Sequence, residues 1–199
     1  MGGMCKRLLL YSAPAAVAAF WAVLVSSIAA NPGFDVLRQE FSLLGTEWSS
    51  NPYLYNYGLA LTGVLIAFYG VVVMAEKEWR RPGLLIVAAA VSLITASLTS
   101  GHSAVHVYAT RMFFLLLAVS FALVGMEWLK RGVKGGAFIL LVSLVAPLIW
   151  LAVKAAKAWP GALGEIYGIL VVDILLLYDW RLRLCAEKMR CIGRAVALN

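Results

Sequence analysis

Charge and histidine are scarce in this chain. Of 199 residues, 14% are charged and two are histidine, where a soluble domain carries roughly a quarter charged residues. That shortage excludes an ordinary soluble globular domain. The three cysteines, Cys5, Cys185 and Cys191, include no CxxC pair, which excludes a zinc knuckle or a dithiol redox centre of the usual spacing. No glycine-rich phosphate loop, GxSxG elbow or HExxH helix is present, so the common nucleotide, serine-hydrolase and zinc-protease chemistries have no foothold. There is no repeat of about 20–50 residues, no low-complexity tract and no separate soluble domain.

What the chain has instead is apolar length. It is 63% hydrophobic, with a mean hydropathy of +0.88. Six apolar runs predict an all-α polytopic membrane protein, a single membrane domain of six transmembrane helices, about 8–30, 53–75, 83–100, 104–129, 137–155 and 161–178. The first run, about 23 residues, is long enough to span and too long for a signal-peptide core. Asn31-Pro32-Gly33 stops it. Asn51 and Pro52 form an N-cap and first helical residue for the second run. Pro147 falls inside the fifth and predicts a kink there.

The net charge of +7 could suggest nucleic acid, but it does not form one stripe. Thirteen of the seventeen basic residues fall in alternate gaps: Lys6 and Arg7; Lys77, Arg80 and Arg81; Lys130, Arg131 and Lys134; and Arg181, Arg183, Lys188, Arg190 and Arg194. Only Arg38, Arg111, Lys154 and Lys157 lie opposite. Short basic loops stay in the cytoplasm. The bias therefore predicts a multi-pass protein of the cell membrane with both termini cytoplasmic, its partners membrane lipids and not nucleic acid. The tail, 181–199, is basic, and the spacing of Leu182, Ala186, Met189 and Ile192 suggests a helix on the inner surface. In the long first external loop, Phe34, Leu37, Phe41 and Leu44 recur one turn apart, which predicts an amphipathic interfacial helix over 34–44.

Ionisable groups within a bilayer are costly and draw attention first. His102 and His106 are four apart and would share one face of a helix. The spacing suits two ligands of one zinc ion, with Asp35, Glu40 or Glu165 as a third. It equally suits proton transfer, substrate binding or plain hydrogen bonding in the interfacial belt, and the last carries the most weight. Two histidines on one face cannot ligate opposite sides of a haem. Arg111 and Glu165 fall at similar depth and suggest an ion pair, or an anion site for a lipid phosphate. Asp173 lies two turns beyond Glu165. It reads as a carboxyl joining two helices, with Ser92 or Thr95 as partner, or as the second step of a proton ladder from Glu165.

The run Phe41-Ser42-Leu43-Leu44-Gly45, then Asn56, Gly58 and Gly63, then Gly101-His102 and His106, resembles a widespread prokaryotic family of six-helix integral membrane proteins of unknown function. The family is distantly similar in architecture to the DRAM-type eukaryotic membrane proteins. The resemblance implies a fold and no settled reaction, and it implicates Ser42, Gly45, Asn56 and His106. The ceramidase and progestin-receptor type of membrane hydrolase, with three histidines on seven helices, does not match two histidines on six.

Together these observations suggest an outward-facing polar pocket roofed by the 34–44 segment. It would bind a lipid headgroup or another amphipathic ligand through Ser42, Asn56, His102, His106, Arg111 and Glu165. In an enzymatic version His106 would be the catalytic acid or base. No cofactor is required, and a metal ion at His102 and His106 is the one the sequence admits. A non-catalytic subunit of a larger membrane complex, or homo-oligomer, and a small proton-coupled transporter using Glu165 and Asp173 stay open beside it.

Overall fold

The computed structural model describes residues 8–99, 103–156, 158 and 161–196, with 190–196 as backbone only. Among the described residues, six long α-helices follow one another: α1 Ser12–Ala29, α2 Pro52–Met74, α3 Arg80–Ser97, α4 Ala104–Lys130, α5 Gly135–Ala155 and α6 Leu163–Val196. Short 3₁₀ turns at Phe41–Gly45 and Lys77–Trp79 sit in two of the connections. No strand occurs among the described residues.

Among the described residues, five helical segments are long and apolar enough to cross a membrane: Leu8–Ala29, Pro52–Met74, Lys77–Ser97, Ala104–Lys130 and Gly135–Ala155. The 23 residues of α2 reach about 34 Å at 1.5 Å per residue, against roughly 30 Å of hydrocarbon. The sixth helix has the length, but its apolar part carries Glu165, Asp173 and Asp179, and composition alone does not mark it as a span.

The helices form an antiparallel ring. Each packs on its predecessor, and α6 returns to touch α1 and α4 as well as α5. In lipid, burial against other apolar groups gives little drive, so helices hold together where backbones approach closely. Gly83 marks such a point: a Cβ there would meet the Met74 backbone and Gly70 carbonyl of α2. Ser120 adds a hydrogen bond from its hydroxyl to the Pro82 carbonyl at 2.8 Å, joining α4 to α3. Leu61, Phe68, Leu115, Leu141 and Leu148 remain exposed on the outside of the ring, as lipid-facing side chains are.

Two expected elements differ. The 34–44 segment is not one helix. Arg38 and Gln39 N–H close a turn onto the Asp35 carbonyl, Glu40 is extended (φ −83°, ψ 149°), and a 3₁₀ turn follows. Side chains compete successfully for the backbone here: Asp35 Oδ1 accepts from Leu37 N–H and Gln39 Oε1 from Asp35 N–H. Glu165 takes the Phe41 N–H that a continuous helix would use. The last helix, in turn, does not stop at 178 with a separate surface helix after it. It runs on through Asp179, because Asp179 and Arg183, one turn apart, are buried together among aromatic rings.

Candidate functional site

At one end of the bundle the 31–51 loop folds over the helix ends, and it does so through specific polar bonds. Asn31 Nδ2 donates to the Ser27 carbonyl (2.7 Å) and to Ser49 Oγ (3.0 Å), while its Oδ1 accepts from Ser50 N–H (2.7 Å). Asn51 caps α2 by accepting from Leu54 N–H, with Pro52 at the first helical position. Phe34 stacks on Phe41 with ring centroids 6.0 Å apart. The loop is also tied to the start of α6. Ala162 N–H donates to the Val36 carbonyl at 3.0 Å. Gly161 before it has φ 54°, and a Cβ there would strike the backbone of Val36 to Arg38. Phe41 N–H donates to Glu165 Oε2 at 2.7 Å.

Phe41 and Ser42 thereby overhang a cavity of about 90 Å³ lined by α1, α2, α3, α4 and α6. Its walls are mostly apolar, with the rings of Phe20, Phe41, Tyr55, Phe113 and Phe114 prominent. The polar side chains are Ser42, Thr62, His106, Thr110, Glu165 and Asp173. Among the described residues, no Lys or Arg lines it.

Each polar group keeps some capacity unused. Glu165 spends Oε2 on Phe41 N–H. Asp173 spends Oδ2 on Trp21 Nε1–H of α1, at 2.7 Å. His106 Nδ1 lies 2.9 Å from the Ala96 carbonyl in the last turn of α3. A carbonyl only accepts, so Nδ1 carries the proton, and in the neutral ring Nε2 is left as an acceptor. Tyr55 is 7% exposed, and its hydroxyl bonds to no described residue.

Ser42, His106, Glu165 and Asp173 thus meet in one cavity. Asn56 does not line it: its Nδ2 donates to the Gly45 carbonyl at 2.9 Å and pins the 3₁₀ turn to α2. The expected Arg111–Glu165 pair is absent. Arg111 is exposed and makes no ion pair among the described residues. It lies five residues past His106, so about 140° around α4, and His106 is the one that faces in. Ser92 and Thr95 are not the partners of Asp173 either; their hydroxyls return to Ala88 and Val91 carbonyls on their own helix. His102, half of the metal pair read from the sequence, lies outside the described residues. Among those that are described, no three His, Cys, Asp or Glu side chains are placed to hold a metal ion.

The opposite end holds a polar cluster that sequence reasoning missed. Asp179, fully buried, accepts from Tyr69 hydroxyl (2.6 Å), Trp128 Nε1–H (2.7 Å) and Arg183 Nε–H (2.8 Å). The Arg183 guanidinium lies over the Trp79 ring, 4.1 Å from its centroid. Arg131 reaches the same ring at 4.9 Å and pairs with Glu76 and Glu78 at 3.7 and 3.6 Å. The signal in the sequence that could have found it is the i, i+4 spacing of Asp179 and Arg183.

Residues 14–178 match the family described as protein of unknown function, DUF998. The chain belongs to that family. No curated protein matches it. No solved structure matches it either.

Proposed function

We propose that this DUF998 member is a six-pass protein of the cell membrane, both termini cytoplasmic, whose outward end binds an amphipathic ligand in the bundle cavity. The observation that carries the reading is the roofed cavity itself: an apolar chamber with Ser42, His106, Glu165 and Asp173 at its polar points. Soluble ligand sites are commonly several hundred Å³. At about 90 Å³ this chamber takes a polar head and its first methylenes, or the end of a chain, with the remainder extending past the Phe41–Ser42 roof. The alternating basic loops support the orientation, and α6 supplies the sixth crossing because it returns between α5 and α1 in the ring.

A proton-coupled carrier draws on the same carboxylates, since Glu165 and Asp173 share the cavity. It is less favoured. Passage to the other face would have to cross the closed cluster of Asp179, Tyr69, Trp128 and Arg183. No internal repeat is visible in the sequence to suggest alternating access.

The test is ligand-dependent stability. Protein purified in a nonionic detergent is titrated with short amphiphiles, and its unfolding temperature is followed. Saturable stabilisation that is lost on filling the chamber by Ala16→Phe supports the reading. No response to amphiphiles of any head type sinks it.

A further inference from the structure

We infer that the ligand of this cavity carries an organic ammonium group, paired with one of its two carboxylates, Asp173 or Glu165, against aromatic rings. The inference rests on the amphiphile reading above and names its chemical class.

The argument begins with what lines the chamber. Two carboxylates enter it, each with one oxygen bonded to the protein and one left over. Neither has a cationic partner among the described residues. Carboxylates at membrane depth normally find one, because an uncompensated charge there is costly. The one arginine the sequence offered for that purpose, Arg111, is exposed and turned away.

The neutral polar groups are compatible with that sign. In its neutral form His106, with its Nδ1 proton committed to the Ala96 carbonyl, offers Nε2 as an acceptor. Thr62 donates to the Gly58 carbonyl at 3.0 Å, so its remaining capacity is to accept. Tyr55, nine-tenths buried and without a hydrogen bond to any described residue, can accept as well. The Ser42, Thr110 and Tyr55 hydroxyls can each donate or accept, so the two carboxylates set the sign of the chamber, opposite to that of a phosphate or carboxylate site.

The walls then separate an organic ammonium from a bare metal cation. Five aromatic rings and aliphatic side chains surround the carboxylates. Ring faces attract ammonium groups, and apolar walls suit their methylenes, whereas a hard metal ion needs six or more oxygen ligands. An anionic headgroup, allowed by the sequence through Arg111, is disfavoured on the same grounds.

The experiment compares three probes with one chain and different heads: hexylamine, hexanol and hexanoate. Binding to the detergent-purified protein is read by unfolding temperature and by tryptophan fluorescence, with Trp21→Phe identifying the signal beside Asp173. Hexylamine should bind at least about tenfold more tightly than hexanol, and hexanoate should bind weakest. Asp173→Asn or Glu165→Gln, whichever removes the pairing carboxylate, should weaken hexylamine by at least about tenfold while moving hexanol by less than about twofold. Glu165→Gln keeps an acceptor for Phe41 N–H; if it nonetheless misfolds, Asp173→Asn carries the test. Hexanol or hexanoate binding as tightly as hexylamine overturns the ammonium assignment and leaves the amphiphile reading standing. Amine selectivity that survives both substitutions also overturns it. Failure of all three probes removes both. Repeating the titration in nanodiscs with and without an ethanolamine-headed lipid tells a free amine from a lipid headgroup; competition by that lipid assigns the headgroup, and its absence assigns the free amine.

Discussion

Removing Asp179 is the sharpest perturbation of this fold. Its carboxylate is 0% exposed and accepts three hydrogen bonds, from Tyr69, Trp128 and Arg183. Arg183 is itself only 8% exposed, and its Nη2 has no partner. Asp179→Ala therefore leaves a buried cation uncompensated and two buried donors unmet. Breaking a buried pair from one side costs about 3–5 kcal/mol, and each orphaned neutral donor adds about 1–3 kcal/mol before relaxation. Arg183→Met should cost less, since Asp179 keeps two donors. Tyr69→Phe removes one bond to a charged acceptor, about 1.5–3 kcal/mol. The expected order of destabilisation is Asp179→Ala, then Arg183→Met, then Tyr69→Phe. With about 2–4 °C per kcal/mol for a chain of this size, Asp179→Ala should lower the unfolding temperature by at least about 6 °C. Monodispersity after heating in mild detergent measures it. The double substitution Asp179→Ala with Arg183→Met is the discriminating case. Most of the single Asp179 cost comes from the stranded guanidinium, so the double variant should be more stable than Asp179→Ala alone. If the two costs simply add, the cluster is not held by charge pairing and the reasoning fails.

Gly83→Ala should destabilise by about 1–3 kcal/mol, because its Cβ would meet α2 backbone that cannot move aside; unchanged heat stability would mean that α2 and α3 do not touch there. His106→Ala should cost about 0.5–1.5 kcal/mol from the lost bond to the Ala96 carbonyl, and a far larger loss would make the histidine chiefly architectural. Cys185 is exposed and lies on the face assigned to the cytoplasm. A membrane-impermeant maleimide should leave it unlabelled in intact cells and label it after permeabilisation, and labelling before permeabilisation would invert the orientation.

Helices were legible in the sequence because a bilayer leaves the backbone few alternatives, and apolar length alone reports a span. Asn51-Pro52 marked the start of α2 because its cap is made by adjacent residues. The 34–44 segment was misread for the converse reason. Its apolar spacing is helical, but its backbone is decided by Glu165, more than 120 residues away, and no local pattern carries that bond. The cavity shows the same division. His106, Glu165, Asp173 and Ser42 could each be singled out by chemistry and depth. Which of them face inward depended on the rotation of each helix. That rotation is fixed by close contacts such as Gly83 on α2 and by the Trp21–Asp173 bond between α1 and α6. Arg111 and Asn56 illustrate the consequence: both lie at the right depth, one turns outward and the other is consumed by the Gly45 carbonyl. What this leaves in the chamber is two carboxylates with no Lys or Arg beside them among the described residues. The net charge of +7 gave no sign of it, because the basic residues gather at the chain's turns and the two uncompensated acids sit in its interior.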